Sequence, residues 1–181
     1  WVRPPGSKWM ENAVPGEAYE SETNRDILGR NAIEEGNDIL GKFNPGLGAQ
    51  SFDIEGAAKF VPKGSDLVFE LHYTTSGKPS SDVSKLGLVL AKKDPDKRYF
   101  FHAGPTALNL AIPPGEGAAE VVSEITFGED AQLVYAQPHM HLRGKDFELR
   151  VVTPGKSPQT VLKGNFNFEW QMGYQYAEPI A

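Results

Sequence analysis

The sequence predicts an all-β fold, a sandwich or a barrel, and three observations carry this prediction. Short runs that alternate apolar and polar residues recur through the chain from Ala57 onwards. Turn-forming residues separate these runs, and the chain contains 19 Gly and 14 Pro, which is typical of many short elements joined by turns. No long helical pattern lies between the runs, and apolar residues, at 39%, can fill a core.

The predicted elements begin after a segment with little periodicity. Residues 1–50 are rich in Gly, Pro, Asn and Glu, so we expect mostly loop, with a helical turn or two between Asn24 and Leu40. The strands predicted beyond this segment are Ala57–Val61, Asp66–Tyr73, Leu86–Ala91, Ala107–Ile112, Ala119–Phe127, Gln132–Ala136, Phe147–Val152, Gln159–Leu162 and Asn165–Trp170. The charged run Lys92–Arg98 is the best linker candidate, and we expect two sandwich-like portions to meet near it.

Composition excludes several classes of function. The net charge is −6 and no basic run occurs, so a nucleic-acid groove is not expected. No stretch of 18 or more apolar residues occurs, so no membrane span is expected in this segment. The chain has no cysteine, which excludes a disulfide framework, a thiolate nucleophile and any Cys-ligated zinc or iron–sulfur site. A metal site must therefore use His, Met, carboxylate or water.

Two histidines separated by one residue, His139 and His141, follow the predicted strand Gln132–Ala136. Side chains at i and i+2 of a strand share one face and lie about 7 Å apart. Two imidazoles at that separation can converge on one transition metal, and imidazole suits copper, zinc, iron and nickel. Two polar side chains at a strand end are an equally good interpretation of the pair by itself, and both interpretations stay open.

His72 is the other histidine of interest. On the predicted strand Asp66–Tyr73 it shares a face with Val68 and Glu70, opposite the apolar face, so we expect it to be partly accessible. A lone strand histidine is more often a hydrogen-bonded structural residue than a metal ligand. His102 has weaker support still.

Three stretches together resemble the copper type II, ascorbate-dependent monooxygenases, of which the peptidylglycine α-hydroxylating and dopamine β-monooxygenases are the animal members. The stretches are Gly64–Gly77, Ile112–Glu116 and Gln137–Lys145. The chain is most similar to bacterial relatives in which Pro-His-Met-His-Leu-Arg-Gly-Lys recurs, followed by a Phe-Asn-Trp-Gln-like segment, here Phe168–Gln171. The resemblance extends from Trp1 to Pro179.

The resemblance implies two jelly-roll-like antiparallel β-sandwich domains, each with one copper. It makes residues 1–95 the C-terminal part of the first copper domain and residues 96–181 the N-terminal part of the second. His72 matches a ligand of the first copper, and His139 and His141 match two ligands of the second. The family's adjacent His-His pair and its ligand Met are absent, and we expect them to lie outside these 181 residues.

The resemblance also implies the activity. The family hydroxylates an aliphatic C–H bond with O₂ and electrons from ascorbate, and His139 and His141 would bind the copper at which O₂ reacts. We expect the intact parent to act on a small-molecule or peptide substrate in the periplasm or outside the cell. With one copper ligand of three and two of three, the 181 residues alone should be inactive.

Two rival interpretations use the same histidines. A cupin also places His-x-His on a jelly-roll strand, but Leu133 occupies the position of its Gly, and the next Glu, Glu148, comes too late. A non-catalytic β-sandwich that binds copper, or that mediates protein contacts, stays open as the alternative.

Overall fold

The computed structural model of the chain describes residues 1–7, 13–18, 39–44, 47–51, 54–101, 107 and 110–181. Within these residues the structure contains strands and no helix, which confirms the all-β fold class. In the described part of the chain, the strands form four separate two-stranded sheets, and the jelly-roll arrangement stays a prediction. The strands among the described residues are β1 (Val2–Arg3), β2 (Ala57–Ala58), β3 (Asp66–Leu67), β4 (Lys97–Arg98), β5 (Leu133–Ala136), β6 (Asp146–Val151), β7 (Gln159–Asn165) and β8 (Tyr174–Ile180).

The chain divides into two compact units. The first unit comprises Trp1–Gly41 and Phe52–Glu124, and the second comprises Lys42–Ser51 and Ile125–Ala181. The short segment Lys42–Ser51 therefore packs with residues that follow it much later in the chain. The first unit runs past residue 95. The assignment of residues 1–95 and 96–181 to two copper domains stays a prediction.

The antiparallel hairpin β6–β7 is the longest pairing of the second unit. Alternate residues of β6 are half-buried and exposed, which is the two-residue period of a sheet with one covered face. The turn between the strands is closed by the Lys156 N–H, which donates to the Thr153 carbonyl at 3.0 Å. Gly155 in this turn has φ of +76°, a left-handed conformation that only glycine adopts without strain.

Glu148 joins the two strands on the exposed face of this hairpin. Its Oε1 accepts hydrogen bonds from Arg150 Nε (2.6 Å) and Thr160 Oγ1 (2.8 Å). Its Oε2 accepts one from Lys163 Nζ at 3.1 Å, and Lys163 is its cross-strand partner. These hydrogen bonds, that from Arg150 first, lower the pKa of Glu148 to about 2, because they favour the ionised carboxylate.

The second sheet of this unit pairs β5 with β8, antiparallel, with a register irregularity between Leu133 and Tyr135. Tyr135 packs so closely against Gly173 that a β-carbon there would overlap the tyrosine hydroxyl. Strand β8 was not among the predicted strands, and Pro179 within it has no N–H to donate to a sheet.

In the first unit, β1 pairs antiparallel with β3. The pairing extends by reciprocal hydrogen bonds, since the Trp1 amino group donates to the Val68 carbonyl (2.8 Å) and Val68 N–H donates to the Trp1 carbonyl (3.0 Å). Val2 and Arg3 are buried, and the Arg3 guanidinium lies 5.2 Å from the Trp1 ring centre. Strand β1 falls in the segment expected to be loop, so that expectation is wrong at these two residues.

The charged run Lys92–Arg98 is not entirely a linker. Its last two residues form β4, which pairs in parallel with β2. The Arg98 guanidinium lies 4.4 Å from the Phe60 ring centre, a cation–π contact that links the two short strands further.

Several predicted strands agree with the structure, and others do not. Gln132–Ala136, Phe147–Val152 and Gln159–Leu162 correspond to β5, β6 and the first part of β7. Asn165–Trp170 was wrong, because only Asn165 belongs to β7, and a turn follows in which the Trp170 N–H donates to the Asn167 carbonyl at 3.1 Å.

The apolar alternation of the first unit produces little sheet. Asp66–Tyr73 is a strand only at its first two residues, and neither Leu86–Ala91 nor Ala119–Phe127 contains a strand. Alternation forms a ladder only where a second strand supplies backbone partners. The side chains expected to form the buried face of Asp66–Tyr73 are exposed instead: Leu67, Phe69, Leu71 and Tyr73.

Three expectations involve residues outside the described part of the chain. The helical turns expected between Asn24 and Leu40 fall almost entirely there, as do His102 and part of Ala107–Ile112. Among the residues that are described, no helix has the length and apolar character needed to cross a membrane.

Candidate metal centre

The histidine pair lies on the connection between β5 and β6. Strand β5 ends at Ala136, and β6 begins at Asp146. After His141 the chain turns, and the Gly144 N–H donates to the His141 carbonyl at 2.8 Å. The pair is therefore held between a strand and a closed turn, within the second unit.

Gly144 makes this turn possible. A β-carbon at this position would lie 2.6 Å from Met140 Cβ, 2.7 Å from Phe166 Cδ1 and 3.1 Å from the His141 carbonyl oxygen. Phe166 is itself anchored, since its N–H donates to the Lys145 carbonyl at 2.8 Å. The motif thus needs glycine for close packing, a reason that the sequence alone did not provide.

The two imidazole rings are neighbours. The ring centres of His139 and His141 lie 5.3 Å apart, with an angle of 76° between the ring planes. Both residues are exposed, whereas Met140 between them is half-buried. The predicted proximity of the two rings is confirmed. Their role as metal ligands stays a prediction.

The tautomer of His139 follows from its hydrogen bond. Its Nδ1 lies 2.6 Å from Oε1 of Gln171. The Gln171 amide is oriented by its own Nε2, which donates to the Phe168 carbonyl at 3.0 Å, so the atom facing the ring is the oxygen. An amide oxygen can only accept, so Nδ1 carries the proton, and the lone pair of a neutral ring is on Nε2.

Desolvation lowers the pKa of His139 below its ordinary value and is the largest cause of the shift. The hydrogen bond to Gln171 opposes it, while the positive charges of Lys42 and of protonated His141 add to it. The sum favours the neutral ring. A neutral imidazole is the form that binds a metal.

Gln171 is buried beside His139, with 6% of its surface exposed. Besides His139, its Oε1 has Asn44 Nδ2 at 3.5 Å, and its backbone carbonyl accepts a hydrogen bond from Gln137 Nε2 at 3.2 Å. The segment Lys42–Ser51 thereby contributes both Asn44 and the charge of Lys42 to the surroundings of His139.

His72 lies in the first unit and is open to solvent, with 85% of its side chain exposed. Its Nε2 is 3.1 Å from Glu70 Oε1. The other oxygen of Glu70 accepts a hydrogen bond from the Trp1 indole at 3.0 Å. The expected exposure of His72 is confirmed. Among the described residues, its ring is hydrogen-bonded to the side chain of Glu70 and not to backbone.

The donor set is limited. Within the described ranges, no group of three or more His, Cys, Asp or Glu residues is placed to hold a metal ion. The described part of the chain therefore offers two adjacent imidazoles at one place and a single imidazole at another. Two neutral imidazoles can hold a metal whose remaining positions are filled by water, a thioether or a further ligand.

Sequence reasoning identified the histidines and missed their supports. Gln171 stood in the segment Phe168–Gln171 that carries part of the resemblance, yet nothing in its local pattern indicated a hydrogen bond to His139. Asn44 and Lys42 gave no signal, because they precede the pair by about a hundred residues in a segment without periodicity.

No family model matches this chain, and neither does any curated protein or solved structure.

Proposed function

We propose that this chain is part of a copper- and ascorbate-dependent monooxygenase that hydroxylates an aliphatic C–H bond with O₂. In this proposal His139 and His141 bind one copper. The observation that supports it best is the arrangement of these two exposed, adjacent imidazoles. His139 has a lowered pKa, and in its neutral form the hydrogen bond from Nδ1 to Gln171 leaves the lone pair on Nε2.

The spacing of the rings suits a shared metal. A metal lies about 2.0–2.1 Å from an imidazole nitrogen and therefore roughly 3.1–3.2 Å from the ring centre. Two such rings around one metal, at an angle of about 110–120°, have centres about 5–5.5 Å apart. The observed separation of 5.3 Å lies within this interval. This separation of the ring centres is compatible with one shared ion.

The types of donor atom in the chain are compatible with copper. Thiolate is excluded by composition, and imidazole is a donor that suits copper. When bound, copper would supply the one-electron chemistry that reaction of O₂ with a C–H bond requires. The chain itself lowers the pKa of His139, holds the two rings side by side and leaves them open to solvent, so that substrate can approach.

His72 is proposed as a ligand of the other copper. Glu70 occupies its Nε2, which leaves Nδ1 as the nitrogen open to a metal in this arrangement. A single imidazole does not make a site. The proposal therefore requires further donors, and it predicts weaker copper binding at His72 than at the pair.

The first experiment measures binding of Cu(I) to the 181-residue chain by competition with a colorimetric chelator. We expect His139→Ala and His141→Ala each to weaken the stronger site by at least the roughly 10–100-fold that loss of a supporting contact causes. The matched control is His102→Ala, which removes a histidine that the proposal does not use. Equal affinity in all four proteins would overturn the assignment of the pair.

The second experiment tests catalysis in the protein that contains this chain. Copper-loaded protein is given ascorbate, ¹⁸O₂ and one of two probes, a glycine-extended peptide or a phenylethylamine. Incorporation of ¹⁸O into the probe, lost in His139→Ala, supports the monooxygenase.

The incomplete donor set favours one alternative, a non-catalytic β-sandwich that binds copper or mediates contacts. Copper binding that depends on the pair, without label in either probe, favours this alternative.

A further inference from the structure

We propose that Gln171 is a positioning residue, which fixes the Nδ1–H tautomer of His139 and so directs its Nε2 towards the metal. The metal part rests on the proposed function. The tautomer part concerns the metal-free protein and can be tested without copper.

The first step is the fixed orientation of the Gln171 amide. A glutamine amide can rotate by half a turn and exchange its oxygen and nitrogen. Here the Phe168 carbonyl requires a donor, which it receives from Nε2 at 3.0 Å. Asn44 Nδ2, at 3.5 Å, supplies a second donor on the side of Oε1. Both contacts favour the same orientation, with the oxygen facing the ring.

The second step is the burial of this amide. Gln171 is 6% exposed, so water does not compete freely for its Oε1. Leaving a buried polar group without a hydrogen-bond partner destabilises the folded state. A His139 ring with its proton on Nε2 would place two acceptors, Nδ1 and Oε1, 2.6 Å apart. The contact therefore disfavours that tautomer strongly.

The third step is the anchoring of the backbone. The Gln171 carbonyl accepts from Gln137 Nε2 at 3.2 Å, and Gln137 precedes His139 by two residues. Two hydrogen bonds thus join Gln171 to the segment that contains His139. A ligand histidine whose other N–H is held by a carbonyl oxygen has a fixed ring direction and a more basic free nitrogen.

The test uses ¹⁵N NMR of the imidazole nitrogens in the metal-free chain, at a pH about two units above the ordinary histidine pKa of about 6.5. In the wild type we expect His139 Nδ1 to be protonated and Nε2 to carry the lone pair. Gln171→Met keeps the length and removes the acceptor, and we expect the proton to move largely to Nε2. Gln171→Glu restores an acceptor, and we expect it to restore the wild-type pattern.

The matched control is Gln159→Met, the same change in an exposed glutamine of β7 that takes part in none of these three steps. We expect its His139 tautomer to be that of the wild type. Cu(I) affinity should fall about 10–100-fold in Gln171→Met and recover in Gln171→Glu. A merely structural role would not produce this recovery together with the shift of the ring proton.

The outcomes separate the inference from the proposed function. Protonation of Nε2 in the wild type overturns the inference, even if copper binds to the pair. The expected tautomer together with copper binding that ignores His139 overturns the proposed function and leaves the orientation by Gln171 standing. If Gln171→Met does not fold, the wild-type spectrum still decides the tautomer.

Discussion

Replacing Gly144 by alanine should destabilise the second unit. We expect a larger effect than at the other described glycines of this unit, apart from Gly155, whose φ is positive, and Gly173, which contacts Tyr135. The new β-carbon would meet Met140 Cβ at 2.6 Å and Phe166 Cδ1 at 2.7 Å. Real β-carbons do not approach so closely. Neither neighbour is the free end of a flexible chain, because one is a β-carbon and the other belongs to a ring whose backbone is hydrogen-bonded. Relief therefore requires the backbone of the turn to move.

The expected magnitude follows from these contacts. Inserting a methyl group into a packed site usually costs about 1–3 kcal/mol. The hydrogen bond from the Gly144 N–H to the His141 carbonyl, 2.8 Å long, closes the same turn and should lengthen. With about 2 kcal/mol per molar of urea, the middle of the range usual for a small protein, the midpoint of unfolding should fall by roughly 0.5–1.5 M.

Two other glycines provide matched controls. A β-carbon at Gly128 would meet nothing within 4 Å, so Gly128→Ala should stay within about 0.5 kcal/mol of the wild type. At Gly164 the nearest atom is Phe147 Cζ at 3.2 Å, so a small ring displacement suffices and the effect should be intermediate. The predicted order of destabilisation is Gly144, Gly164, Gly128.

The assay should report on the second unit alone. Urea titration followed by the amide NMR signals of β6 and β7 provides this, and the Cu(I) affinity of the pair can be measured on the same samples. Equal unfolding midpoints for Gly144→Ala and Gly128→Ala would refute the close-packing argument. A changed midpoint with unchanged copper affinity would show that the turn supports the fold but does not position the rings.

Three further outcomes are expected. The carboxyl of Glu148 should titrate at about 2. Its contribution to stability should be complete above its pKa of 4.5 in the unfolded chain and should be lost as pH falls towards 2. Unfolding of Glu148→Gln and of the wild type, compared over pH at low and high salt, checks this. The ring of His139 should titrate below 6.5 by NMR. Because the unfolded chain binds more protons than the folded chain in this pH range, stability should fall as pH falls from 6.5 through the lowered pKa. A ring that titrates above 6.5 would contradict this prediction. The pKa of Tyr73 is raised, first by its hydrogen bond to Asp82 (2.9 Å), so Asp82→Ala should lower it towards 10 in an ultraviolet titration, and an unchanged titration would show that the contact is absent in solution.

Local pattern was sufficient for part of the fold. Phe147, Leu149 and Val151 alternate with polar residues, and the structure places them half-buried on one side of β6. The alternation succeeded because β7 follows after a short turn and supplies the partner strand. The same kind of alternation at Leu86–Ala91 did not yield a strand, and Val89 is fully exposed. Side-chain period states which residues share a face, but backbone partners decide whether a sheet forms.

The candidate site divides in the same way. The spacing of His139 and His141 is a local property, and it was enough to predict neighbouring rings. The tautomer of His139 depends on Gln171, 32 residues later, which in turn contacts Asn44 of a segment that precedes it by 127 residues. No local period encodes such contacts.

By itself, the sequence determined the all-β class, the strands that correspond to β6 and the first part of β7, and the adjacency of the two imidazoles, because each depends on a period of two residues. Only the tertiary structure decided that Gly144 is required by close packing, that Lys42–Ser51 belongs to the second unit, and that Gln171 faces His139. These depend on contacts between segments distant in the chain. The contacts are set by packing and hydrogen bonding of the whole unit, which no single stretch of residues specifies.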